Sequence, residues 1–210
     1  MEAVLQLYAE TSDPEHPRVC FDETSKQLVQ EVRPPQPAAP GQPARYDYEY
    51  QRNGVANLFL FYSPDHAAGG WRHVEVTEQR TKIDFAHQMK ALADEHFPEA
   101  KTIRVVLDNL NTHTPAALYE AFEAEEARRL TSRLEFVYTP KHGSWLNQAE
   151  LELAALTRQC LEERVPDVPT LRRQVAAWEA PRNEAGLIIR WLFRVAQART
   201  KLKHLYPSTS

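Results

Sequence analysis

Three carboxylates in this 210-residue sequence stand where they could do chemistry together: Asp22, Asp108 and Glu150. Asp22 ends the stretch PRVCFDE, in which strand alternation sends Val19 and Phe21 to one face and Cys20 and Asp22 to the other. Asp108 closes TIRVVLDN, with Ile103, Val105 and Leu107 pointing one way and Val106 and Asp108 the other. Its carboxylate therefore emerges at the C-terminal end of a strand, where open α/β sheets place their sites. An aspartate after a strand can equally begin a turn, and DNLNTH holds the asparagines for one. Glu150 lies in a helix opened by Asn147, and the spacing Asn147-x-x-Glu150 is also that of a capping box. At ~100° per residue, Glu150 falls on the arc of Leu153, Ala154, Leu156, Thr157, Cys160 and Leu161, while Glu152 shares an arc with Gln159 and Glu163. Glu150 is thus expected on the core side, where a carboxylate needs a partner.

Carboxylates converging in this way can hold two divalent cations about 3.5 to 4 Å apart, one activating an attacking oxygen and the other stabilising the leaving oxygen of a phosphodiester. Oxygen-only ligation favours magnesium or manganese. Water or a 3′-hydroxyl then serves as nucleophile, so no Ser-His-Asp arrangement is needed. His113 and His142 flank the expected site and could touch a scissile phosphate or hydrogen-bond locally.

The elements that must position these groups can be read from pattern. Residues 1–17 read as a short helical stub and linker, stopped by Pro14 and Pro17. The strand carrying Asp22 follows, and residues 27–31 could return as a second strand. The proline-crowded 32–45 must be an exposed loop. Strands at 56–62 and 71–77 flank the turn-rich SPDHAAGG, as in a hairpin. A helix within 81–97 leads to the strand ending at Asp108. Thr114-Pro115 predicts an N-cap and first turn for a helix through Phe122 and onward to Leu130, and LEFVYTP reads as a further strand. Helices are expected from Asn147 to about Leu161, over 170–178 and over 187–198.

Composition bounds the rest. With 42% hydrophobic and 26% charged residues, the chain can bury one sizeable core. It has no apolar run long enough for a membrane span and no signal-peptide pattern, giving the expectation of a soluble intracellular protein. Cys20 and Cys160 lack metal or disulfide spacing. A formal net charge of -4 argues against a surface that grips nucleic acid all over. Any such contact is local, and Arg182, Arg190, Arg194, Arg199, Lys201 and Lys203 crowd the C-terminal stretch against the single acid Glu184.

The stretches CFDETSKQ, VVLDNLNTHTP and YTPKHGSWLNQAELE resemble the three acidic motifs of bacterial insertion-sequence transposases of the Tc/mariner superfamily; ARYDYEY at 44–50 and the ending ARTKLKHLYP are similar to that family's pattern too. The resemblance implies an α/β, RNase H-like (retroviral integrase-type) fold, with a central mixed five-stranded sheet flanked by helices. It implies a catalytic and metal-holding triad of Asp22, Asp108 and Glu150, loaded with two Mg2+ or Mn2+ ions, and makes His113, Lys141, His142 and Trp145 candidates for contact with DNA. Residues 18–180 would form the catalytic domain, with a linker stub at 1–17 and a basic helical extension at 181–210.

The activity implied is strand cleavage and strand transfer on double-stranded DNA, at terminal inverted repeats and a TA target, by a homodimer in synapsis. Such a protein is expected in the bacterial cytoplasm, on the nucleoid when DNA-bound. Members of the family carry an N-terminal helix-turn-helix reader, whereas seventeen residues precede the first motif strand here. A separate helix-turn-helix subunit or reading frame is the corresponding expectation. A cellular RNase H-like nuclease and a non-catalytic regulatory fragment are the alternative readings.

Overall fold

The computed structural model describes residues 1–33, 36–44, 48–66 and 69–206. Its strands are β1 (Arg18–Glu31), β2 (Tyr50–His66), β3 (Gly69–Thr77), β4 (Ile103–Leu107) and β5 (Leu134–Tyr138). They form one sheet in the order β3-β2-β1-β4-β5. The β1–β2 and β2–β3 pairs are antiparallel, and the β1–β4 and β4–β5 pairs are parallel. The expected mixed five-stranded sheet is therefore present.

The sheet is buried on both faces, which is why its central strands read as nearly continuous apolar runs such as NLFLFY. Alternation divides those runs between two cores. Cys20, Leu58, Leu60, Tyr62, Val74, Val76 and Val106 face one core, covered by α5 (Gln148–Cys160) and α6 (Val168–Glu184). Val19, Phe21, Phe59, Phe61, Val105 and Leu107 face the other, covered by α2 (Lys82–Ala91), α3 (Ala116–Ala121) and α4 (Ala124–Arg133). The result is a helix–sheet–helix sandwich. Thr81 and Asp84 close a capping box at the start of α2, and Asp167 caps α6 by accepting from the Thr170 amide at 2.7 Å.

The ends of the chain depart from expectation. Residues 1–17 are no free linker: α1 (Glu2–Leu7) buries Val4, Leu5 and Leu7 in the first core, and Tyr8 follows them. Arg18, locked to Asp65 by two side-chain hydrogen bonds of 2.6 and 2.5 Å, also donates to the Leu7 carbonyl at 2.8 Å. At the other end, the boundary placed at 180 falls inside α6, and 187–194 is extended rather than helical. There Ile189, Trp191 and Phe193 turn toward the first core while Ile188 and Leu192 face outward, a period of two that the continuous apolar run concealed. The helix begins later, as α7 (Val195–Lys201).

Residues 27–31 continue β1, with a register shift between Gln27 and Val29, instead of returning as a separate strand. Thr114 is not the N-cap, since the helix starts after Pro115, and it breaks at Phe122, where an extended backbone (φ -128, ψ 158) separates α3 from α4. Parts of the proline-rich loop, of the ARYDYEY stretch, of the SPDHAAGG turn and of the C-terminal extension (34–35, 45–47, 67–68 and 207–210) lie outside the described residues. The described loop residues 36–44 are exposed and carry an isolated bridge between Ala39 and Gln42.

Candidate active site

Register brings the two aspartates together. In the parallel β1–β4 pair, Arg18 lies opposite Arg104, Val19 opposite Val105 and Cys20 opposite Val106. Asp22 lies two residues beyond Cys20 and Asp108 two beyond Val106, near enough for the Asp108 charge to act on the Asp22 carboxyl. Both share the parity of Cys20 and Val106, hence the face of the sheet that α5 covers. Glu150, in the first turn of α5, approaches from that helix. The Asp22 carboxyl is pushed up to about 7 by its burial, and by the negative charges of Asp108 and Glu150 against the opposing hydrogen bond from the Glu23 amide.

Each aspartate spends one oxygen on the protein. Asp22 Oδ1 accepts from the Glu23 amide at 2.8 Å. Asp108 Oδ1 accepts from the Leu110 amide at 3.3 Å, so Asp108 does begin a turn, and the same oxygen lies 2.6 Å from His113 Nδ1. The His113 hydrogen bond is the main reason that the Asp108 carboxyl is held below the ordinary carboxylate value. Burial alone would lower His113, but hydrogen bonds to Asp108 and Glu23 outweigh it and raise the imidazole to about 9.

Asn147 settles how Glu150 is presented. Its side-chain oxygen caps α5 through the Ala149 amide at 3.2 Å, while its amide nitrogen donates to the Phe21 carbonyl at 2.7 Å. The start of α5 is thereby clipped to β1 one residue before Asp22. No capping box forms, and among the described residues the Glu150 carboxylate makes no side-chain hydrogen bond. Asn147→Ala is expected to cost about 1–2 kcal/mol in chemical denaturation, because it removes a helix cap and the buried hydrogen bond to the Phe21 carbonyl.

Glu150 does not face the core as its helical arc predicts. The buried stripe of α5 is Ala149, Glu152, Leu153 and Leu156, and Glu150 lies on its half-exposed flank. Glu152 is the acid that faces inward, where Arg72 neutralises it through hydrogen bonds of 2.9 and 2.9 Å and Arg182 adds one of 3.1 Å. A signal for this was present in WRHVEVT, since alternation puts Arg72 on the buried face with Val74 and Val76, and a buried cation needs an acid.

The candidate DNA contacts separate. His113 is 1% exposed and faces protein groups, so contact with DNA is incompatible with its placement. Lys141, His142 and Trp145 are exposed on the loop that leads into α5, around a cavity of about 420 Å³ that Pro140 and Tyr206 also line. His142 holds a positive φ of 61°, a backbone cost for a non-glycine residue.

The donor set Asp22, Asp108 and Glu150 is all oxygen, and the charges of Asp108 and Glu150 disfavour a bare Asp22 carboxylate, which suits a hard divalent cation. Among the described residues, no three His, Cys, Asp or Glu side chains are drawn close enough to enclose an ion as they stand. Also among those residues, no helix is long and apolar enough to cross a membrane.

Comparison with solved structures finds similar folds in Mos1 complexes. The Mos1 transposase paired-end complex with left transposon end has a TM-score of 0.57 at 20% identity, over 88% of this chain and 55% of that one. The Mos1 mariner paired end complex with Mn gives 0.55 at 21%, over 88% and 55%. The complex with Mg gives 0.54 at 22%, over 87% and 53%. This chain thus spans about half the length of the chains it matches. The shared architecture is the expected RNase H-like fold. No curated protein matches the sequence. The sequence itself matches the DDE superfamily endonuclease family across residues 17–172, an interval that contains all three acids, and the chain belongs to that family.

Proposed function

We propose that this chain is the catalytic part of a DDE transposase, cutting DNA at transposon ends and joining the freed 3′-hydroxyls to target DNA. The observation that supports the reading is the parallel pairing of β1 with β4 through Cys20 and Val106, two residues before Asp22 and Asp108, with the charges of Asp108 and Glu150 both acting on the Asp22 carboxyl. Asp22, Asp108 and Glu150 would hold two Mg2+ or Mn2+ ions. When bound, the ions activate the attacking oxygen and neutralise charge on the leaving one.

The chain's own residues set the stage for that chemistry. Asp22 sits in β1 and Asp108 directly follows β4, its parallel neighbour, and Asn147 ties the helix of Glu150 to β1. The exposed Lys141, His142 and Trp145 border this helix and would meet the DNA, as would the exposed Arg190, Arg194, Lys201 and Lys203. The Mos1 assemblies with transposon ends support terminal inverted repeats as partners, with a TA target and a homodimer in synapsis as the corresponding proposals. Recognition of the ends would come from a helix-turn-helix subunit or segment beyond this domain, in the bacterial cytoplasm at the nucleoid.

The test supplies a duplex bearing the element's end with a free 3′-hydroxyl, a supercoiled plasmid, and Mg2+ or Mn2+. Joined products that require the 3′-hydroxyl are expected. Hydrolysis of RNA–DNA hybrids without any joining would assign the site to a cellular nuclease instead.

A further inference from the structure

Glu23 follows Asp22 in β1, and alternation turns it to the opposite face, where its side chain is 7% exposed. There it meets His113. The imidazole is 1% exposed and packed beside the rings of Phe21 and Phe85, at centroid distances of 5.2 and 4.9 Å. Nδ1 lies 2.6 Å from Asp108 Oδ1, and Nε2 lies 3.4 Å from Glu23 Oε2. The Tyr138 hydroxyl donates to the His113 carbonyl at 2.8 Å, and Arg80 reaches the other Glu23 oxygen at 3.3 Å.

We propose that His113 is a positioning residue, a strut that holds Asp108 at a fixed place relative to Asp22 by bridging Asp108 to Glu23, the residue bonded to Asp22. The inference rests on the reading of Asp22 and Asp108 as metal-holding acids. A histidine buried only for packing would be satisfied by one local partner. This one engages one carboxylate from β1 and another from the residue just after β4, one on each ring nitrogen, which fixes the ring's rotation. Phe21 and Phe85 fix its tilt, and Tyr138 anchors its backbone from β5. Asp108 Oδ1 is thereby occupied and Oδ2 left for another partner. Hydrogen-bonded partners behind a ligating group orient it in this way, and their loss typically weakens metal binding by 10–100-fold.

The test is a Mn2+ titration, read by the electron paramagnetic resonance of free Mn2+, on native protein, Asp108→Ala, His113→Gln and His113→Asn, with thermal melts of each. Asparagine can place its amide nitrogen where Nδ1 was and keep the bond to Asp108; glutamine can reach only the position of Nε2. His113→Gln is expected to lose roughly tenfold or more in Mn2+ affinity, with His113→Asn between it and native. A packing role would lower the melting temperatures of both and leave the affinity of the folded protein unchanged. Equal Mn2+ affinity in folded His113→Gln and native protein therefore overturns the strut. If His113→Gln fails to fold, Glu23→Ala tests it from the other end: several-fold weaker Mn2+ binding supports the strut and native affinity overturns it. Absence of Mn2+ binding by the native chain would instead remove the proposed function, and the strut with it.

Discussion

Asp22→Asn is expected to make the metal-free protein more stable at pH 8 while abolishing metal-dependent DNA cleavage. Burial, reinforced by the charges of Asp108 and Glu150, moves the Asp22 carboxyl from an ordinary 3.8 to about 7. Below pH 4 the group is neutral in both folded and unfolded chains. Between about pH 4 and 7 the unfolded chain releases the proton and the folded chain keeps it, so stability falls as pH rises through that window and then levels off. The loss amounts to roughly 2–4 kcal/mol. Asparagine has the same shape, still accepts from the Glu23 amide and carries no charge, so about 1–3 kcal/mol should be regained at pH 8 in EDTA. Cleavage should drop by roughly a thousandfold or more, because a neutral amide is a poor partner for a divalent cation. Melting curves from pH 4 to 8 check the first half and DNA nicking the second. A stability difference between native protein and Asp22→Asn that stays flat from pH 4 to 8 would contradict the electrostatic account of the site.

Arg72→Ala is expected to cost about 3–5 kcal/mol in urea denaturation, the range for breaking a buried ion pair from one side. Arg72 is 1% exposed and Glu152 3%. Besides its two hydrogen bonds to Glu152, the guanidinium donates to the Gly70 carbonyl at 3.2 Å and the Leu187 carbonyl at 2.5 Å, and it lies 5.2 Å from the centre of the Tyr62 ring. One side chain therefore joins β3, α5 and the segment after α6. The backbones approach so closely that a Cβ on Gly70 would lie 1.9 Å from the Leu187 oxygen. Removing Arg72 leaves Glu152 with Arg182 alone and strands two carbonyls. The double replacement Arg72→Met with Glu152→Leu is expected to recover most of the loss, since it removes both buried charges. A double variant as unstable as the sum of the two single ones would show that the pair is not the source.

Much of this was legible in the sequence where the physics is local. Alternation in PRVCFDE and TIRVVLDN put Asp22 on the face of Cys20 and Asp108 on the face of Val106, and Cys20 and Val106 are partners in the parallel β1–β4 pair. The sheet's composition could be read because strands buried on both faces are apolar throughout. Failures arose where a distant partner changed the meaning of a residue. Glu152 looked solvent-facing only because its cation, Arg72, is 80 positions away in sequence. The role of His113 stayed open between a phosphate contact and a local hydrogen bond because one of its two carboxylate partners, Glu23, lies 90 positions away. Residues 187–194 read as helix because a continuous apolar run has no visible period, and the turn at Gly186, with φ 56, is what releases the chain into an extended path. The break at Phe122 has no glycine or proline to announce it; the ring packs edge-on against His87 at 5.1 Å instead.

The central claim is that Asp22, Asp108 and Glu150 act as one cation-dependent phosphodiester site. It is tested most directly by cleavage of end-labelled duplex DNA carrying the element's end, using native protein and the single replacements Asp22→Asn, Asp108→Ala and Glu150→Gln. Each is assayed with Mg2+, Mn2+ or EDTA after its fold is checked by circular dichroism. The account expects cleavage by native protein with either metal, none in EDTA, and none by any of the three variants. Cleavage that persists in folded Asp108→Ala, or in EDTA, would contradict it.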